Sequence, residues 1–89
     1  MAYVYLLISD KDHNKYIGST TLQPEERLKL HNGGKVRSTK PRRPFNLIGY
    51  QYFTSIGEAR IFEIKYKRSH DFLNRRISSG EFKLIRGVA

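Results

Sequence analysis

Few side chains in this sequence are of a type and spacing that could do chemistry. The 89-residue chain has no cysteine, no Gly-x-Ser-x-Gly motif and no glycine-rich phosphate-binding loop, which excludes thiol catalysis, serine esterase chemistry and P-loop ATP hydrolysis. Five of the eight acidic residues fall in a predicted turn, a helix first turn or a helix cap, so a two-metal carboxylate site is excluded as well. The remaining polar candidates are Tyr5, Tyr16, Arg27, His31 and Glu63, with at most one metal ion on one carboxylate.

The two tyrosines lie on a predicted β-hairpin. Residues 2–8 are β-branched and aromatic, and a second short strand, Lys15 to Gly18, follows a polar stretch, which together predict two antiparallel strands and a turn. Because side chains alternate along a strand, Tyr3 and Tyr5 share one face. The other face carries the apolar side chains Val4, Leu6 and Ile8.

Arg27 and His31 lie on a predicted short helix from about Gln23 to Asn32. Pro24 suits the first helical position, two glutamates follow it, and two glycines end the segment, a pattern typical of helix boundaries. Residues four apart project from the same helix face, so Arg27 and His31 lie together. A basic loop over residues 33–44 and a third strand over 45–53 follow.

Glu63 lies on a second predicted helix. Ser55 and Glu58 form a capping box that opens a helix to about Ser69. The apolar stripe of this helix contains Ala59, Phe62 and Tyr66, and Glu63 falls within it. A carboxylate among apolar neighbours costs free energy unless it is paired or binds a cation, so both an ion pair and a metal remain open. Residues 71–77 suggest a shorter helix, and residues 81–89 have no clear pattern.

The positive charge is concentrated in the second part of the chain. Residues 1–34 carry four basic and four acidic residues, so the whole net charge of +9 lies in residues 35–89. This asymmetry favours a polyanionic partner, most often nucleic acid, although solvated surface charge is the alternative. The loop side chains that we expect to contact phosphates are Lys35, Arg37, Lys40, Arg42 and Arg43.

Length and composition indicate one folded domain over residues 1–89. Hydrophobic residues make up 38% and aromatic residues 12% of the chain, enough for a core in a protein of this size. The longest apolar run is far shorter than the roughly 20 residues of a membrane-spanning helix, and no secretory signal pattern precedes it. We therefore expect a cytoplasmic protein without a membrane partner, whose oligomeric state stays open.

An ordered set of motifs resembles those of GIY-YIG nucleases. The set covers residues 2–68 and reads Tyr3-Val4-Tyr5, Tyr16-Ile17-Gly18, Arg27-x-x-x-His31-Asn32-x-Gly34, Thr39, Pro44, Glu58-Ala59 and Glu63-Ile64-Lys65. It is most similar to small stand-alone bacterial members related to the nuclease domain of excision-repair endonucleases. The first motif departs from the family pattern because Tyr3 replaces its glycine. Some members also place a lysine just after the second motif, where this chain has Ser19 and Thr20.

The resemblance implies a small α/β fold with a three-stranded antiparallel sheet flanked by helices. It implies hydrolysis of DNA phosphodiester bonds with one divalent cation, Mg²⁺ or Mn²⁺, leaving 5′-phosphate and 3′-hydroxyl ends. By the same resemblance, Glu63 binds the metal, Arg27 contacts the phosphate, and Tyr5 and Tyr16 are catalytic. His31 matches a position that supports the tyrosine or the attacking water.

Our hypothesis from the sequence is therefore a metal-dependent DNA endonuclease of low sequence specificity, with RNA not excluded as a substrate. The first alternative is a non-catalytic nucleic-acid-binding module on the same scaffold, and the second is a small basic RNA-associated structural protein. The combination of two tyrosines, Arg27 and Glu63 favours the enzyme, because a binding module has no need of a glutamate on the core-facing side of a helix.

Overall fold

The computed structural model describes residues 1–85. In chain order its elements are β1 (Ala2–Ser9), β2 (Lys15–Thr20), α1 (Pro24–Asn32), a 3-10 turn (Lys40–Arg42), β3 (Phe45–Phe53), α2 (Ile56–Arg68), α3 (His70–Ser79) and β4 (Lys83–Leu84). The predicted α/β class is confirmed. No helix within residues 1–85 is both long and apolar enough to span a membrane.

The antiparallel sheet has four strands in this part of the chain, in the order β2-β1-β3-β4, rather than the predicted three. The additional strand, β4, pairs with β3 through Gly49 and Tyr50. A β-carbon at Gly49 would lie 2.5 Å from the Lys83 carbonyl oxygen, so the missing side chain lets β4 approach. A strand of two residues has no alternation pattern, which is why the sequence did not predict it. The rest of the unassigned tail, residues 86–89, lies outside the described residues.

The central strand β1 is buried on both faces. On one face Val4 and Leu6 pack with Ala59 and Tyr66 of α2. On the other face Tyr5 belongs to a second cluster with Leu7, Phe45 and Leu47, against which Leu28 of α1 packs. The sheet therefore separates a helix-covered core from a face that carries Tyr5 beneath α1.

Local signals explain where the helices begin and end. The Ser55 hydroxyl accepts a hydrogen bond from the Glu58 backbone N–H at 3.2 Å, as the capping box predicts. α3 begins after Ser69, whose hydroxyl caps Phe72 N–H, and ends at Gly80 in the left-handed conformation; this helix is longer than the predicted 71–77.

The turn between β1 and β2 is fastened to the basic loop. The Ser9 hydroxyl donates to the Arg42 carbonyl oxygen at 2.5 Å and accepts from the backbone N–H groups of Lys11 and Asp12. Arg42 forms an ion pair with Asp12 at 2.7 Å. These contacts fix the loop after α1 relative to the hairpin that carries the tyrosines.

Candidate active site

A buried hydrogen bond between Tyr5 and His31 lies at the centre of the candidate site. The Tyr5 hydroxyl oxygen is 2.8 Å from His31 Nε2, and the two residues are 1% and 0% exposed. β1 supplies the phenol from the middle of the sheet, while the last turn of α1 supplies the imidazole. This contact could not be derived from either segment alone.

The neighbouring hydrogen bonds determine which atom carries each proton. The Thr39 hydroxyl donates to the Val36 carbonyl oxygen at 3.3 Å, so it accepts from His31 Nδ1–H at 2.7 Å. His31 Nε2 is then the acceptor for the Tyr5 O–H. The phenol oxygen in turn accepts from Arg27 Nε–H at 3.3 Å. A directed chain therefore runs from Arg27 through Tyr5 and His31 to Thr39.

Burial keeps both Tyr5 and His31 neutral near pH 7. Loss of solvation lowers the pKa of His31 to about 4, and the nearby Arg27 charge acts in the same direction. Burial also raises the pKa of Tyr5 to about 12, against the opposing hydrogen bond from Arg27 and with smaller upward contributions from Tyr16 and Glu63. The shared proton therefore resides on the phenol oxygen.

Tyr16 lies beside this pair without a direct hydrogen bond to it among the described residues. Its ring centroid is 5.1 Å from that of His31 and 6.2 Å from that of Tyr5, and the side chain is half-buried. Gly18, opposite Tyr5 in the sheet register, makes room for the phenol. A β-carbon at Gly18 would lie 2.5 Å from the Tyr5 hydroxyl oxygen, so the second motif requires glycine here.

Glu63 extends from α2 to the edge strand β2, close enough to Tyr5 for its charge to contribute to the raised pKa of that phenol. Ser19 Oγ donates to Glu63 Oε1 at 2.5 Å, and Lys67 Nζ lies 2.6 Å from Oε2. The side chain retains 18% exposure, because it reaches the sheet edge instead of lying inside the apolar stripe. The ion pair that the sequence left open is thus present, with an ammonium group against the carboxylate.

The donor set around Glu63 fits a cation that the protein holds through one carboxylate. Residues 1–85 contain no group of three or more His, Cys, Asp or Glu side chains that could enclose a metal. Mg²⁺ commonly keeps several waters and binds one or two carboxylates together with substrate phosphates. Ser19 orients the Glu63 carboxylate in a way that is compatible with that mode, but the Lys67 ammonium would have to move aside, because it competes with a divalent cation for Oε2.

The five basic side chains of the predicted phosphate-contacting loop fall into two groups. Four of its five basic side chains, Lys35, Arg37, Lys40 and Arg43, are exposed. Arg42 instead donates to Asp12 and to the backbone carbonyls of Asn14 and Lys15, and it lies over the Phe45 ring at 5.4 Å. Its guanidinium therefore holds the loop to the hairpin, and we assign it a structural role instead of the predicted phosphate contact.

Three side chains in this arrangement were not predicted as site residues. Lys67 follows Glu63 by one helical turn, so the i, i+4 rule could have found this pair. Thr39 and Ser19 contact His31 and Glu63 across 8 and 44 residues. No periodic pattern links them to their partners; only the motif order included Thr39.

The sequence that forms this sheet, its flanking helices and the Tyr-His-Arg cluster matches the model of a catalytic-domain family. Residues 1–77 match the GIY-YIG catalytic domain family, so the chain belongs to the GIY-YIG family, a nuclease superfamily. It is 44% identical over 66 residues to UPF0213 protein SH2523 of Staphylococcus haemolyticus. The aligned stretch covers 71% of this chain and 78% of that protein. No solved structure shows a significant match.

Proposed function

We propose that this protein is a metal-dependent DNA endonuclease that hydrolyses phosphodiester bonds with one divalent cation, Mg²⁺ or Mn²⁺. The observation that carries the proposal is the buried Tyr5–His31 hydrogen bond, with Arg27 donating to the same phenol oxygen. The residue that we propose as proton acceptor, Tyr5, thus lies within 3.3 Å of the cation that we propose to bind phosphate, Arg27. Membership of a nuclease superfamily supports phosphodiesters as the substrate class.

Arg27 is suited to neutralising charge on the phosphate. Its Nε–H is directed to Tyr5, which leaves the other guanidinium N–H groups for phosphoryl oxygens. Charge-assisted hydrogen bonds of this kind are strong and often bidentate. Because negative charge grows on these oxygens during attack, the contact strengthens in the transition state.

Tyr5 is suited to receiving the proton of the attacking water. As the phenol oxygen takes that proton, its own proton can pass to His31 Nε2 at 2.8 Å. The raised pKa of Tyr5 and the lowered pKa of His31 mean that this transfer does not occur beforehand in the free protein. Thr39, which accepts from Nδ1–H, holds the imidazole in the orientation that receives the proton.

Glu63 would hold the divalent cation. When bound, such a cation would supply charge to balance that on the phosphate and would lower the pKa of a water molecule. Ser19 fixes one carboxylate oxygen, and the other would become available to the cation when the Lys67 ammonium that now lies against it moves aside. Tyr16 is half-buried beside Tyr5, and in this proposal it positions the phosphate or the attacking water.

The exposed basic side chains of the loop favour a substrate recognised through its backbone. Contacts from Lys and Arg to phosphates position a nucleic acid without reading its bases, and we therefore expect low sequence specificity. A non-catalytic nucleic-acid-binding module would use the same loop. It would not need the buried proton chain from Arg27 to Thr39, which favours the enzyme.

Cleavage of a panel of labelled single-stranded, branched and duplex DNA and RNA tests the proposal. We expect DNA cleavage with Mg²⁺ or Mn²⁺, 5′-phosphate ends on the products, and no cleavage in excess chelator. Binding of the panel without cleavage under any of these conditions would favour the binding module. Cleavage that persists in chelator would contradict the single-cation mechanism.

A further inference from the structure

A surface cavity with basic side chains, here called the hollow, lies beside the hairpin turn and away from the side chains of the basic loop. It has a volume of about 570 Å³ and is bounded by the hairpin on one side and by α2 and α3 on the other. His13, Lys15 and Tyr16 line the hairpin side, while Lys67 and His70 line the helix side. None of the described residues that line it is acidic, and although Lys67 is paired with Glu63, the Lys15 ammonium gives the hollow a positive charge that suits an anion.

The acidic residues of the turn do not offset the charge of Lys15, the lysine of the hollow that is not paired with Glu63. Asp12 is paired with Arg42 at 2.7 Å, and Asp10 accepts a hydrogen bond from the Asn46 side chain at 2.7 Å. Both carboxylates are thus engaged by residues of the loop and β3. The two lysines of the hairpin lie on different sides of the turn: Lys11 lies beside the basic loop, and Lys15 lines the hollow.

The backbone of His13 provides a separate indication. His13 has φ of +60°, a left-handed conformation that glycine adopts without strain and other residues adopt at a cost. Such outliers concentrate at functional sites. Here the position retains an imidazole that lines the hollow, where glycine would make the same turn more easily.

We propose that this hollow binds a backbone phosphate of the nucleic-acid strand whose neighbouring phosphodiester is cleaved at the candidate active site. The inference rests on the proposed function and adds a path for the substrate. Two residues connect the hollow to the site: Tyr16 lines the hollow and contacts Tyr5, and Lys67 lines it while pairing with Glu63. With the loop on one side of the hairpin and the hollow on the other, the strand crosses the site between two phosphate contacts.

Equilibrium binding of a labelled DNA strand in chelator, where no cleavage occurs, tests this path. Lys15→Met removes one cation from the start of β2, and Lys83→Met removes one from the start of β4 at the opposite edge of the sheet. We expect Lys15→Met to weaken binding about three- to tenfold and to lower the slope of log affinity against log salt by about one. The matched Lys83→Met should bind within about twofold of the wild type.

His13→Gly separates binding from folding. Because glycine relieves the left-handed strain, its thermal unfolding midpoint should equal or exceed that of the wild type, while DNA affinity falls about two- to fivefold. Wild-type affinity in both Lys15→Met and His13→Gly would overturn the inference, and continued cleavage would leave the proposed function standing. If the wild-type protein bound no nucleic acid at all, the proposed function would fail, and the inference with it.

Discussion

The buried neutral His31 predicts a specific loss of stability in mild acid. In the folded protein its pKa is about 4, because burial disfavours the charged imidazole, whereas an unfolded histidine titrates near 6.5. As pH falls through this window the unfolded state binds a proton that the folded state does not. The free energy of unfolding must therefore decrease, and the stability is present above pH 6.5 and lost as pH approaches 4.

The magnitude follows from the two pKa values. One pKa unit corresponds to about 1.4 kcal/mol, so the interval between the ordinary value and about 4 amounts to about 3 kcal/mol. Small domains are commonly stable by only about 5–15 kcal/mol. This single residue should therefore remove a substantial fraction of the total stability.

Denaturant unfolding of the wild type and His31→Gln, followed by circular dichroism between about pH 7 and pH 4.5, measures this contribution. Glutamine offers a hydrogen-bond acceptor and a donor but does not titrate. The free energy of unfolding of His31→Gln should therefore vary with pH less steeply than that of the wild type, by up to about 1.4 kcal/mol per pH unit. His13 and His70 are present in both proteins and cancel in the difference. Parallel curves for the two proteins would refute the assignment of a buried neutral imidazole.

Three further predictions concern the site and its surroundings. Tyr5→Phe should lower the single-turnover cleavage rate at least about 100-fold, in the range of a lost general base, and Tyr16→Phe should lower it less; a larger loss at Tyr16 would reverse the two roles. Reversing the charges of Lys40 and Arg43 should weaken DNA binding regardless of sequence and lower the salt slope by about two, and an unchanged slope would mean that the loop is only solvated charge. Gly18→Ala should destabilise the protein by about 1–3 kcal/mol in thermal unfolding, because the new β-carbon would overlap the Tyr5 phenol, and wild-type stability would contradict that packing.

Much of the fold could be predicted because its signals are local. The third strand was predicted over the same residues, Phe45–Phe53, that the structure shows, since its apolar and aromatic residues are bounded by Pro44 and Ser55. The capping box placed the start of α2 correctly, because Ser55 and Glu58 interact within one helical turn. Features of this kind depend on neighbours in sequence.

The candidate site was harder to predict from the sequence than the fold, because its contacts join segments that are distant in the chain. Tyr5 and His31 meet across 26 residues, and only a resemblance to known motifs put them in one site. The commitment of Arg42 to Asp12, across 30 residues, could not be distinguished by composition from the exposed cations beside it. Charge counts identify a basic segment, whereas tertiary contacts decide which of its side chains remain available to a ligand.

Single-turnover DNA cleavage by the wild type, Glu63→Gln and Glu58→Gln tests the central claim most directly. Both glutamates lie on α2, but of the two it is Glu63 that contacts Ser19 of β2 and contributes to the raised pKa of Tyr5. We expect Glu63→Gln to lose Mg²⁺- or Mn²⁺-dependent cleavage by about 100-fold or more while its circular dichroism spectrum and DNA affinity in chelator stay near those of the wild type. Glu58→Gln should cleave at close to the wild-type rate. Cleavage by a folded Glu63→Gln at the wild-type rate would contradict the assignment of Glu63 as the cation-binding residue of this protein.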